Sequence, residues 1–181
     1  MKKEKPDFVF HLAAQTSVAR SFKHPEETMK INVDGTRNVF DACLSANPVI
    51  LLTCSADEYG TLSEKDIPIK ERHPLAPTNP YAVSKKKAEE LAFDYFRNNG
   101  LRVVVSRSFN HTGPGQSPDF VVSDWARQIS QIEKGKKEPV IFVGNTNIRR
   151  DFLDVRDVVK AYLFIVEKGN SGEVYNVASG E

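Results

Sequence analysis

Apolar residues fall in short compact runs separated by longer stretches of helical periodicity. Asp7 to Ala14 is the first run, rich in Phe and Val and bounded by Pro6 and the polar Gln15-Thr16-Ser17. It reads as a buried strand. The stretch from about Pro25 to Ala46 has the spacing of a helix, with Ile31, Val33, Val39, Phe40, Ala42, Cys43 and Leu44 on its apolar side. Gly35 inside it is read as a site of close packing. Val49 to Cys54 is a second buried strand, running into Ser55-Ala56-Asp57-Glu58-Tyr59-Gly60 and then a proline-rich polar loop. A helix follows from Pro80 to the stop signal Asn98-Asn99-Gly100.

Leu101 to Ser106 is a third strand, with a loop from Phe109 to Gln116 at its end. Phe120 to Lys134 reads as a helix with Val121, Val122, Trp125, Ile129 and Ile132 near one stripe. Val140 to Val143 reads as a short strand, Val155 to Lys168 as a helix, and Glu173 to Ala178 as a final strand. Strands alternating with helices argue for an α/β fold whose parallel sheet is covered on both faces. Ligands of such sheets bind beyond the carboxyl ends of the strands. Ala13-Ala14-Gln15, Ser55 and Asn110 fall there, and Tyr81 opens the helix between the last two.

Composition narrows the classes. The chain has 181 residues, 40% hydrophobic and 27% charged, as expected for a globular protein with a sizeable core. A formal net charge of +1 gives no excess that favours nucleic acid or an anionic membrane. Lys2-Lys3-Glu4-Lys5 reads as a short solvated run. There is no apolar stretch of membrane-spanning length. Cys43 and Cys54 sit in apolar surroundings and read as reduced core residues, which makes the cytoplasm the default compartment. No His or Cys spacing matches a metal site, so no metal is expected. His11 reads as a packed residue.

The chemistry concentrates on the helix at Tyr81. Pro80 fits its first turn, where a missing N–H is harmless. Tyr81 and Lys85 then lie one turn apart on the same face. A free phenol titrates near pH 10, and an ammonium beside it lowers that value. Such a pair can pass a proton to or from a substrate oxygen. Tyr-x-x-x-Lys alone is common on ordinary amphipathic helices, so its neighbours decide the reading.

Those neighbours are His11-Leu12-Ala13-Ala14, Asn32-Val33-Asp34-Gly35-Thr36, Ser55 to Gly60, Pro80-Tyr81 with Lys85, and Arg150-Asp151-Phe152 with Val155 and Asp157. Their order resembles the extended short-chain dehydrogenases, the NAD-dependent epimerases, dehydratases and reductases of nucleotide sugars. The resemblance covers nearly the whole chain. It implies a Rossmann-like sheet over residues 1–118 and part of a small substrate-binding region over 119–181, with a returning helix and strand. Ser108 to Ser117 and Arg149 to Phe152 are most similar to the GDP-mannose branch. Ser55 to Gly60 resembles the reductases of GDP-4-keto-6-deoxy-D-mannose. The related 4,6-dehydratases usually carry Thr-x-Glu where Ser55 and Asp57 stand, so the carboxylate of Asp57 keeps dehydration open, and epimerisation stays open as well.

The resemblance also implies roles. Tyr81 is expected to protonate the sugar oxygen, Lys85 to bond the nicotinamide ribose and depress the Tyr81 pKa, and Ser55 to align the carbonyl. Ala13, Ala14 and Gln15 are expected to pass close to NAD or NADP. Asp57 and Asn110 are expected at the sugar nucleotide, and Arg150 at the diphosphate of a GDP-sugar. Ordinary structural roles compete at each position, as a loop cap for Ser55, a backbone partner for Asp57, a turn residue for Asn110 and a surface ion pair for Arg150.

One element of the family pattern has no counterpart. No Gly-x-x-Gly-x-x-Gly turn exists among the 10 glycines, and such a turn brings a helix N-terminus to the cofactor pyrophosphate. The sequence is therefore expected to be the middle of a longer enzyme, with a cofactor that need not bind to this chain alone. An uncovered sheet edge is expected to favour a homo-oligomer or a partner chain. A catalytically incomplete module that only binds or assembles is the alternative reading. The isolated chain is expected to sediment as an oligomer and to show no measurable NADPH oxidation with a GDP-4-keto sugar; a monomer, or clear turnover, contradicts this.

Overall fold

The computed structural model describes residues 4–180, so Lys2 and Lys3 of the N-terminal run lie outside the described residues. Four strands form a parallel sheet in the order β1 (Phe8–His11), β2 (Val49–Ser55), β3 (Val103–Ser108) and β6 (Val174–Val177). Side chains alternate between the two faces of a strand. Ile50, Leu52 and Cys54 of β2, with Val103 and Val105 of β3, face one layer of helices. That layer holds α3 (Gly35–Cys43) through Phe40 and Cys43, and α4 (Pro80–Asn99) through Ala88, Leu91 and Ala92. Leu51 and Val104 face the opposite side, where α6 (Val155–Lys168) contributes Val158, Tyr162, Ile165 and Val166. The sheet is thus covered on both faces, as the alternation of elements requires.

The α4 boundaries follow from local chemistry. Asn79 caps the first turn by accepting the Ala82 N–H at 2.8 Å, and Pro80 occupies the first helical position. Gly100 ends the helix in the left-handed conformation at φ 65°, where a side chain would be strained.

Several expectations require correction. β1 is an edge strand, and it is not buried on both faces. Phe8 and Phe10 are 45% and 38% exposed, on the face that α6 covers elsewhere. The helical stretch starts earlier, at α1 (Val18–Lys23), where Ser17 accepts the Arg20 N–H. It continues through α2 (Pro25–Met29) and a π-helical turn over Lys30–Asp34 before α3. Gly35 is not a close-packing point, because a Cβ there would meet nothing within 4 Å. The loop after β3 contains β4 (Asn110–Thr112), which pairs in parallel with β5 (Phe152–Asp154). Residues 140–143 form no strand; Val140 to Val143 are all exposed, and Phe142 bonds instead to the Gln128 side chain. The apolar stripe of α5 (Val121–Glu133) is only partly covered, with Val121 and Ile129 exposed.

These positions predict unequal costs. Leu52→Ala is expected to lose about 2–5 kcal/mol in urea denaturation, the range for truncation of a fully buried side chain. Phe8→Ser, at the uncovered edge, is expected to lose less than about 1 kcal/mol. Equal losses for the two contradict this assignment of the core.

Candidate functional site

The carboxyl ends of β1, β2 and β3 converge beside the N-terminal turns of α4. Tyr81 and Lys85, both from α4, are buried there. The Lys85 ammonium donates to the Thr53 carbonyl of β2 at 2.8 Å. Burial pulls the Lys85 pKa down, while the carboxyl of Glu58 and the Cys54 thiol oppose that shift. An ammonium has three N–H donors. Thr53 takes one, and among the described residues no other acceptor is recorded for it.

Burial governs Tyr81 as well. It raises the phenol above its ordinary value, the nearby Ser55 hydroxyl opposes the rise, and Asp57, Cys54 and Glu58 add to it. Burial is the largest cause for both side chains, raising the phenol and lowering the ammonium. The phenol keeps its proton at neutral pH.

Ser55 is the last residue of β2 and caps a 3-10 turn over Ala56–Tyr59. Its Oγ accepts the Asp57 N–H at 3.2 Å, and the Glu58 carboxyl oxygen Oε1 accepts the Ser55 N–H at 2.9 Å. This reciprocal cap holds the Ser55 hydroxyl beside Tyr81. Gly60 closes the turn at φ 76°, and a Cβ there would stand 1.9 Å from the Ala76 carbonyl oxygen. Asp57 is exposed at the mouth; partial desolvation raises its carboxyl, and the charge of Arg150 pulls it back down. Arg150 itself is exposed, and its guanidinium donates to the Arg149 carbonyl at 3.0 Å. Asn110 is exposed on β4, paired in register with Phe152.

The segment after β1 is fixed from behind. Asn32, in the π-helical turn, accepts the Gln15 N–H at 2.8 Å. Its amide donates to the Gln15 carbonyl at 3.0 Å and to Ser84 Oγ at 2.8 Å. The Gln15 side chain is spent on Thr28 and Ser17. Backbone at Gln15 is therefore held in place, and Ala13 before it is exposed. His11 is buried and bonds Thr36 Oγ1 at 2.9 Å; burial and the Lys85 charge lower its pKa.

A second group of polar residues was not singled out by the sequence reading. Arg107, inside β3, makes two bonds to Glu89 of α4 at 2.9 and 2.5 Å. It also donates to Tyr59 Oη at 3.0 Å and to the Glu71 carbonyl at 2.8 Å. Tyr59 Oη in turn donates to Asn176 Oδ1 of β6 at 2.7 Å. The available signal was a charged residue inside the apolar strand run, together with Ser-x-x-Glu over residues 55–58.

Comparison with known proteins supplies the family. The model of the NAD dependent epimerase/dehydratase family matches residues 1–178, and the chain belongs to this family. It is 44% identical over 180 residues to GDP-6-deoxy-D-mannose reductase of Pseudomonas aeruginosa, covering 98% of this chain and 59% of that protein. It is 38% identical to dTDP-D-glucose 4,6-dehydratase of Mus musculus, covering 97% of this chain and 48% of that one. The solved structure of RMD from Pseudomonas aeruginosa complexed with NADPH superposes with a TM-score of 0.95 at 44% identity, over 98% of this chain and 61% of that one. The chain thus spans about half to three fifths of the length of these relatives. Among the described residues, no helix is long and apolar enough to cross a membrane.

The buried Arg107–Glu89 pair has a measurable consequence. Glu89→Ala leaves the Arg107 guanidinium buried without its carboxylate, and a loss of about 3–5 kcal/mol is expected in chemical denaturation. A loss below about 1 kcal/mol contradicts the assigned coupling of α4 to the sheet.

Proposed function

We propose that this member of the epimerase/dehydratase family carries the reaction centre of a nucleotide-sugar oxidoreductase, most like a reductase of GDP-4-keto-6-deoxy-D-mannose. The observation that carries the reading is the burial of Tyr81 and Lys85 one turn apart on α4, with the Lys85 ammonium on the Thr53 carbonyl of β2 and the Ser55-capped turn following that strand. Identity of 44% to a GDP-6-deoxy-D-mannose reductase supports the same substrate class.

The donor set fits a dinucleotide. Lys85 retains N–H donors for the nicotinamide ribose beyond the one given to Thr53. Ala13, Ala14 and Gln15 present a fixed backbone wall on the same side. NAD or NADP, when bound, supplies the hydride. Tyr81 delivers its proton to the sugar oxygen, and its raised pKa keeps that proton available in the resting protein. Ser55 aligns the carbonyl by hydrogen bonding, a positioning and electrostatic contribution. Asp57, Asn110 and Arg150 form the outer side, where Arg150 suits the diphosphate through its fork of donors. Residues 119–181 supply part of this substrate-binding side. The uncovered β1 edge supports association with a second chain or copy. Free, buried Cys43 and Cys54 support a cytoplasmic setting.

A second reading rests on Asp57. Its carboxyl is raised by desolvation, so it could serve as an acid or base in a 4,6-dehydratase. The dTDP-D-glucose 4,6-dehydratase relative supports this alternative.

The test uses the full-length protein in which these residues stand. Tyr81→Phe is expected to lower kcat for the 4-keto sugar about 10²–10⁴-fold, the span of general acid catalysis. Ser55→Ala is expected to lower kcat about tenfold or more. Reduction at the wild-type rate by Tyr81→Phe contradicts the reading, and product analysis separates a reduced sugar from a 4-keto product.

A further inference from the structure

We infer that Glu58 is a positioning residue: its buried carboxyl accepts the Ser55 N–H and fixes the turn that presents the Ser55 hydroxyl. The inference rests on the reading of Ser55 as part of the reaction centre.

Glu58 is fully buried at 0% exposure. One carboxyl oxygen, Oε1, accepts the Ser55 N–H at 2.9 Å. The other, Oε2, is buried with no hydrogen-bond partner. The residues around it come from three elements. Cys54 stands on β2, Tyr81, Lys85 and Glu89 on α4, and Arg107 on β3. One ligand-type atom each from Cys54, Glu58 and Glu89 lies within 4.8 Å of the others. A cation could in principle sit among such atoms, but the guanidinium of Arg107 already fills that role on Glu89 with two bonds. Glu58 therefore shares a closed space with a carboxylate whose cation is engaged elsewhere.

A buried carboxylate without its own cation is unfavourable, and the neutral acid relieves the cost. Burial and the Glu89 charge push the Glu58 carboxyl up to about 8, against the partial opposition of the Ser55 N–H and Arg107. The folded value lies above the unfolded one. The stability that neutral Glu58 contributes is thus complete below about pH 4.5 and is lost as pH rises through about 8. Ionisation places a second charge beside Glu89 and beneath the turn over Ala56–Tyr59. Relief of that repulsion draws Glu58 off the Ser55 N–H, and because Ser55 caps the turn its hydroxyl then shifts.

Two variants and a spectroscopic titration test this. Glu58→Gln keeps a carbonyl for the Ser55 N–H and cannot ionise. Glu58→Leu removes the acceptor. In the full-length protein, Glu58→Leu is expected to lower kcat about tenfold or more, as for loss of an oriented group, with a smaller effect on KM for the dinucleotide. Glu58→Gln is expected to recover at least part of that kcat and to lack the decline of kcat expected of the wild type above about pH 8. Carbon-13 NMR of glutamate carboxyls in this chain is expected to show one group titrating near pH 8 that is absent from Glu58→Gln.

An alkaline decline unchanged in Glu58→Gln, or full kcat in Glu58→Leu, overturns the inference. If Glu58→Leu fails to fold, the Glu58→Gln profile and the NMR titration still decide. Ser55→Ala separates the two claims. If Ser55→Ala is impaired and the Glu58→Gln profile is unchanged, this inference alone fails. If Ser55→Ala keeps wild-type kcat, the reading of the reaction centre fails.

Discussion

The ion pair between Arg107 and Glu89 joins the two elements on which the candidate site is built. Glu89 belongs to the helix that carries Tyr81 and Lys85, and Arg107 to the strand beside the one that ends in Ser55. Both side chains are almost fully buried, at 6% and 4% exposure. Such a pair need not add net stability over a well-packed apolar pair, but breaking it is costly. Its further bonds to Tyr59 and the Glu71 carbonyl, and from Tyr59 to Asn176, extend the same constraint to the turn after Ser55 and to β6. Helix, turn and sheet are thereby held to one geometry, as a reaction centre with small positional tolerance requires.

Desolvation then sets the protonation states within that frame. It lowers Lys85, raises Tyr81 and raises Glu58. The direction for Tyr81 matters for the chemistry. A phenol that holds its proton is prepared for the reductive direction, in which a carbonyl oxygen becomes a hydroxyl. The same burial leaves Glu58 neutral, so the interior beneath Ser55 carries fewer charges than its residue list implies.

Much of this was legible in the sequence because the signals were local. Pro80 and Gly100 marked both ends of α4, and the structure places that helix over Pro80–Asn99. The helix expected from about Val155 to Lys168 matches α6, which Asp154 caps and Gly169 follows. What escaped the reading depends on pairing between distant segments. β4 and β5 were invisible because each is three residues long and is defined only by the other. Val140 to Val143 has strand composition but no strand partner among the described residues, so composition alone misled. The surroundings of Tyr81 and Lys85 are non-local in the same way. Spacing placed Lys85 on the same face, yet nothing local shows that Thr53 would take its ammonium or how deeply the phenol would be buried.

The central claim is that these residues direct hydride and proton onto a nucleotide-sugar carbonyl. Its most direct test supplies the full-length protein with a GDP-4-keto-6-deoxy sugar and NADPH deuterated at the transferable position, followed by mass and NMR analysis of the sugar. The account predicts one deuterium on the carbon that bore the carbonyl, in a product with a new hydroxyl. A sugar that keeps its 4-keto group and carries no deuterium, with no consumption of the reductant, would contradict it.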